Sequence, residues 1–256
     1  MKRGIIPTQV GRGSRPGWTT CSARDHPHAG GEGLRLPLAG EVVRGSSPRR
    51  WVTFGGVGGV ADYDEVALDH RAAGLDAVRA LLELGHRRIG VFGGAVEAGD
   101  STFAGGAAAA LREAGLLDAS LFHDVPDTGR MADCRRAADV FLDRRETVEA
   151  NGRTTAVLCR NDRHALSLLF ACQARGIAVP RDLSLVGFND SEEAACCFPT
   201  LASFDPRCGE QARRLVALVG ARLAEPAEGV ASPPRVELVR PSLVLRDSVG
   251  PPAARA

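Results

Sequence analysis

The sequence carries almost no net charge: 32 Lys and Arg against 31 Asp and Glu leave +1. Broad electrostatic binding to nucleic acid needs an excess of cations to neutralise phosphates, so DNA contact would require a separate dedicated element. No apolar run reaches the roughly 18 residues of a membrane span. The start Met1-Lys2-Arg3-Gly4-Ile5-Ile6-Pro7 lacks the apolar stretch of a signal peptide. A soluble cytoplasmic chain with no membrane partner is expected. Cys-x-x-Cys pairs and His/Cys clusters of zinc-site spacing are absent, so no metal is expected. The seven cysteines, Cys21, Cys134, Cys159, Cys172, Cys196, Cys197 and Cys208, are odd in number, and several lie in apolar runs. They read as reduced core thiols, with Cys196 and Cys197 as two packed thiols, since a vicinal disulfide requires unusual backbone geometry. A nucleophile with its base, a metal set and a phosphate loop are also missing. Gly55-Gly56-Val57-Gly58-Gly59 lacks both the Lys-Ser/Thr of a phosphate loop and the spacing of a dinucleotide fingerprint. The expectation is a protein that is not an enzyme and has no cofactor.

Two kinds of sequence are present. Residues 1–50 are rich in Gly, Arg, Pro and Ser without apolar periodicity, and read as a disordered or aberrant, out-of-frame segment. From Trp51 onward, short β-rich apolar runs alternate with stretches of helical period, which signals a parallel α/β sheet. Strands are expected at 88–92, 121–125, 155–159, 183–188, 235–239 and 243–246. A helix should follow Asp69, a good N-cap, carry Leu75, Val78, Leu81 and Leu82 on one stripe, and end at Gly85. Further helices are expected at 106–114, 131–145, 163–175 closed by Gly176, and 206–224 with Pro206 in its first turn. The main domain should span 51–250, followed by a frayed tail, 251–256.

Open parallel sheets place ligands at the carboxyl ends of their strands. There, one strand runs into Arg160-Asn161-Asp162 and another into Asn189-Asp190. Two amide-plus-carboxylate pairs therefore border one cleft, with donors and acceptors suited to a neutral, hydroxyl-rich ligand. The local alternatives are that Asp162 caps the following helix and that Asn189 and Asp190 shape a turn. His86, beside a helix-ending glycine, reads as structural.

The chain resembles the LacI/GalR family of transcription regulators. The matching residues are Leu84-Gly85-His86-Arg87-Arg88-Ile89-Gly90, the AxxxxND stretch from Ala156 to Asp162, and Gly176-Ile177-Ala178-Val179-Pro180-Arg181-Asp182-Leu183-Ser184-Leu185-Val186-Gly187-Phe188-Asn189-Asp190. Pro199-Thr200-Leu201 and Leu243-Val244-Leu245-Arg246-Asp247-Ser248 follow in order. The resemblance implies a type I periplasmic-binding-protein-like fold of two parallel-sheet lobes with an incomplete N-terminal lobe. It also implies a small effector, a sugar or related polyol, contacted by Asn161 and Asn189 with Asp190 and Asp162 behind them. A homodimer is implied too, with apolar faces on helix 72–84 and on the helix after Pro206. DNA would be reached only through a missing or separate helix-turn-helix. The alternatives are a transport-type sugar-binding protein and a truncated, non-functional remnant. One departure stands out: the family's usual Arg before helix 106–114 falls at Phe103, which cannot donate to a ligand. Either the effector stacks a ring on Phe103 or the cleft has lost its ligand.

Overall fold

The computed structural model describes residues 52–54, 64–97, 99–125, 130–147, 152–225 and 233–253. The expected segment 1–50, the glycine run 55–59, Cys21 and the last three residues of the tail lie outside them. Strands β1 (Val52–Phe54) and β2 (Asp64–Leu68) come first, followed by β3 (Ile89–Phe92), β4 (Phe122–His123), β5 (Ala156–Cys159) and β6 (Ser184–Phe188). The remaining strands are β7 (Ala202–Asp205), β8 (Val236–Val239) and β9 (Ser242–Val244). The helices are α1 (His70–Glu83), α2 (Phe103–Glu113), α3 (Met131–Glu146), α4 (Asp162–Ala174), α5 (Glu192–Cys196) and α6 (Cys208–Ala224).

The larger sheet has the order β4-β3-β5-β6-β7-β9 and is parallel except at its β7–β9 edge. Strands β3, β5 and β6 are buried along their whole length, as strands covered on both faces must be. Their side chains alternate between two cores. Ile89, Val91, Leu158, Val186 and Phe188 join Val78, Leu81, Ala107 and Leu111 of α1 and α2. Phe92, Val157, Cys159 and Leu185 join Phe141, Leu142, Leu168 and Leu169 of α3 and α4. The period of two in the sequence thus becomes a three-layer lobe.

Helices α1 and α2 meet backbone to backbone. A Cβ on Gly74 would lie 2.2 Å from the Phe103 carbonyl oxygen, and one on Gly106 would lie 2.2 Å from that of Arg71. Only glycine at both positions permits this approach. The α1 cap is as expected: the Asp69 carboxylate accepts from the Ala72 N–H at 2.8 Å, and Gly85 closes the helix with φ +99°.

The smaller sheet is parallel, in the order β1-β2-β8, with α6 packed across it through Leu218, Val66 and Val239. Arg222 of α6 forks onto Asp64 at 2.5 and 2.6 Å, with both side chains 3% exposed. The chain passes between the two sheets after β2, between β7 and α6, and between β8 and β9.

Several details differ from the sequence reading. Helix α6 starts at Cys208 because the Asp205 carboxylate accepts from the Arg207 N–H at 2.7 Å and Arg207 turns left-handed, leaving Pro206 outside. Strand β4 has only two residues. Strands β1, β2 and β7 and the short α5 are not among the expected elements. Cys134, Cys159 and Cys172 are buried thiols, but Cys196, at the end of α5, is exposed. The apolar stripe of α1 is consumed inside its own lobe, whereas α6 leaves Val216 72% and Leu223 59% exposed.

Candidate functional site

The loops that follow β3, β5 and β6 meet at one end of the larger sheet. The β5 loop leaves the sheet at Arg160, whose N–H donates to the Phe92 carbonyl at 2.9 Å, and enters α4 at once. Asn161 is the N-cap of α4. Its Oδ1 accepts from the His164 backbone N–H at 3.0 Å and lies 2.7 Å from His164 Nδ1. A backbone donor fixes which end of the amide faces inward, so the oxygen is committed to α4 and His164 Nδ1 carries the proton. The NH2 is the remaining hydrogen-bonding group of this half-buried side chain.

Asp162, by contrast, sits inside the first turn of α4 and is 3% exposed. Its Oδ1 accepts from the Ser203 hydroxyl at 2.6 Å and its Oδ2 from the Ser191 N–H at 2.7 Å, which ties the β5 loop to the β6 loop and to β7. Burial raises the Asp162 carboxyl above its ordinary pKa, against the opposing pull of those hydrogen bonds. The space it needs comes from Gly187, where a Cβ would stand 2.1 Å from Asp162 Oδ1.

After β6 the backbone turns sharply, with φ 110° at Asn189 and 48° at Asp190. Asx residues tolerate this region better than most, and consecutive strained residues are characteristic of functional turns. The turn is pinned because the Asn189 N–H donates to the Phe204 carbonyl at 3.0 Å and the Asp190 N–H donates to the Ser203 hydroxyl at 3.0 Å. Asn189 is left exposed. Asp190 lies 2.6 Å from the Arg246 guanidinium. Asn161, Asp162, Asn189 and Asp190 thus belong to two loops bound directly to each other, with the asparagines outermost.

Phe103, the first residue of α2, is 7% exposed. It packs edge-on to Phe188 at 5.6 Å and to Phe204 at 5.9 Å between ring centroids. It forms an aromatic floor beside the β6 end and shows little of its ring to solvent.

Sequence reasoning missed His70. It follows β2 at the first crossing between the sheets and lies over Phe188, with ring centroids 5.1 Å apart. Burial lowers its pKa, and the nearby Arg160 charge lowers it further against the pull of Asp69. No local pattern announces the contact, because it joins the start of α1 to the end of β6, more than a hundred residues along the chain. His86 is structural as expected. It is fully buried; its Nε2–H donates to the Gly250 carbonyl at 2.8 Å, and its Nδ1 accepts from the Thr155 hydroxyl at 2.9 Å.

A groove of about 230 Å³ lies beside the carboxyl ends of β3 and β4, lined by Phe92, His123, Asp124, Val125, Val140 and Arg144 among others. It includes none of the five sequence-predicted site residues. The strand-end chemistry, not the groove's volume, identifies the better candidate site. Among the described residues no helix is long and apolar enough to cross a membrane.

Residues 78–249 match the family model of the periplasmic binding protein-like domain. The HTH-type transcriptional repressor PurR of Salmonella newport is 31% identical over 146 residues, 56% of this chain and 40% of that protein. The chain therefore spans less than half the length of the curated relatives it matches. Among solved structures, a LacI-family putative transcriptional regulator from Sanguibacter keddieii superposes with a TM-score of 0.65 at 31% identity, covering 77% of this chain and 71% of that one. A LacI-family sugar-binding transcriptional regulator from Escherichia coli, complexed with phosphate, gives 0.59 at 26% identity over 73% and 64% of the two chains. These relatives are transcriptional regulators rather than enzymes. With the match covering most of the chain and the strand-end loops in the expected order, the chain belongs to the periplasmic binding protein-like domain family, in the form of the effector-binding domains of LacI-type regulators.

Proposed function

We infer that this chain is the ligand-sensing domain of a LacI-type transcriptional regulator, taking a small sugar or related polyol at the ends of β3, β5 and β6. One observation carries the reading. The Asn161 oxygen is tied to His164, which leaves its NH2 as the other polar group of that side chain, and the exposed, positive-φ Asn189 follows the neighbouring strand β6. Two amides on a buried hydrogen-bonded frame match hydroxyl groups, which both donate and accept. The E. coli relative is itself a sugar-binding regulator. The site borders the crossing after β2, where His70 begins α1 and lies over Phe188, and closure around a ligand is how such a site would report occupancy.

Operator recognition would come from a helix-turn-helix outside residues 52–253, and a cytoplasmic location follows from that role. Self-association would use the outer face of α6, where Val216 and Leu223 are exposed.

The test is thermal unfolding with a panel of monosaccharides, polyols, sugar acids and nucleosides. A ligand at a hundred times its Kd should add about 2.7 kcal/mol of stability. Cooperative melting that no member of the panel shifts would overturn the reading and favour a remnant that has lost its ligand.

A further inference from the structure

We propose that the groove between β4 and α3 is a second binding site, built for a small zwitterion with an apolar body, the chemistry of an aliphatic α-amino acid. The site is separate from the effector site, since none of its lining residues belongs to the loops that carry Asn161 and Asn189.

The groove lies on the α3–α4 side of the larger sheet. Phe92, Val125 and Ala137 of its lining belong to the core shared with those helices, and Val140, 50% exposed, adds an apolar wall. At about 230 Å³ it is smaller than the roughly 300–1,000 Å³ clefts that enclose drug-sized ligands, so it suits a molecule of amino-acid size.

His123, Asp124 and Arg144 line the same space. Arg144 Nη1 lies 3.4 Å from His123 Nδ1, so the guanidinium donates and the imidazole accepts. Burial lowers the His123 pKa and the Arg144 charge lowers it further, which keeps that ring neutral at pH 7. Every other charged side chain of α3 is engaged within the protein. Asp133 pairs with Arg136, Arg135 with Asp139, and Asp143 and Glu146 with Arg175, while Arg145 donates to the Thr154 and Asp182 carbonyls. Among the described residues Arg144 makes no ion pair, and the Asp124 carboxylate makes neither an ion pair nor a hydrogen bond. Glu97 and Asp100, in the loop after β3, do not line the groove. That loop crosses to the opposite face of the sheet, where Gly99 backs onto Gly105 of α2 and the Asp100 carbonyl accepts from Arg71 of α1. One cation and one anion therefore border a single apolar groove without pairing with each other.

An α-amino acid carries the complement of both on one carbon. A planar guanidinium receives its carboxylate through paired N–H donors, and a carboxylate accepts from its ammonium. Its aliphatic side chain would cover Phe92, Val125 and Val140 from water. A plain anion would be opposed by Asp124 and a plain cation by Arg144, so only the zwitterion matches both charges.

The experiment is an NMR titration of the isotope-labelled full chain with L-leucine, isocaproate, which lacks the ammonium, and isoamylamine, which lacks the carboxylate. L-leucine should shift the amides of His123, Asp124, Val125 and Val140, and should bind at least about tenfold more tightly than either analogue, the worth of one charge-assisted hydrogen bond. Arg144→Ala should reduce L-leucine to the affinity of isoamylamine without weakening isoamylamine itself. Asp124→Asn should reduce it to the affinity of isocaproate without weakening isocaproate. Both positions are exposed, and melting curves establish that each variant is folded. No binding of L-leucine by the folded protein, equal affinity for L-leucine and either analogue, or a preference that either substitution leaves in place would overturn the proposal. Shifts confined to the amides around Asn161 and Asn189 would put the ligand in the effector site and overturn the second site, leaving the effector-site reading standing.

Discussion

Asn161 has two tasks that substitution can separate. Its Oδ1 caps α4 and receives His164 Nδ1–H, and its NH2 is the group proposed to meet the ligand. Asn161→Ala removes everything. Loss of an N-cap costs about 0.5–2 kcal/mol, and leaving the His164 ring nitrogen short of its acceptor adds about 1 kcal/mol. For a folded unit of this size the melting temperature should fall by roughly 4–10 °C. Asn161→Asp retains an acceptor in the same place, and a carboxylate caps at least as well as an amide. Its stability should stay within about 0.5 kcal/mol of the parent, yet it presents no donor and places a negative charge beside the ligand. Affinity for whichever effector the panel identifies should then fall by about tenfold to a hundredfold, corresponding to 1.4–2.8 kcal/mol. Differential scanning calorimetry and titration of the two variants side by side give both quantities. If Asn161→Asp bound the effector like the parent, the assignment of the NH2 would be wrong. If Asn161→Ala melted like the parent, the cap would be wrong.

Gly106→Ala should destabilise the chain by about 1–2 kcal/mol, because overpacking at a 2.2 Å contact with the Arg71 carbonyl outweighs a helix-propensity gain of about 1 kcal/mol. The same change at Gly220, where a Cβ meets nothing within 4 Å, should stabilise α6 by roughly 0.5–1 kcal/mol, and urea unfolding of the pair checks the contrast in sign. Burial lowers the pKa of His70, His86 and His123 from 6.5, so these groups take up protons mainly in the unfolded chain. Their contribution to stability is complete above about pH 6.5 and is lost as pH falls through the lowered folded values. Asp162, raised from 3.8, has the opposite sign: its contribution is present below the unfolded value and lost as pH rises through the folded one. Urea midpoints should therefore decline from pH 7 toward pH 5, and a flat profile over that window would contradict the histidine burial.

Much of the larger lobe was legible in local patterns. Asp69, Gly85 and Gly176 punctuate helices as their conformational preferences require, and β5 and β6 are apolar runs of strand length. The site was legible only to the level of the loop. Asn161 and Asp162 are both good capping residues, and a shift of one residue in the start of α4 decides which caps and which is swallowed. That choice is made by Ser191 and Ser203, 29 and 41 residues further along the chain. Phe103 falls at a ligand-contacting position in the resemblance, yet its ring is covered by Phe188 and Phe204, which arrive from other strands. His70 escaped notice for the same reason. Pro206 was assigned to α6 by its fixed φ, but the hydrogen bond from the Arg207 N–H to Asp205 delays the helix to Cys208.

Hydrogen–deuterium exchange with and without a saturating effector tests the central claim most directly, since it reports where the chain is held rather than how tightly. Protection should appear in the amides after β3, β5 and β6, around Gly93, Asn161 and Asn189, and at the crossing around His70. Protection confined to the groove around His123, Val140 and Arg144, with the strand-end loops unchanged, would contradict the account.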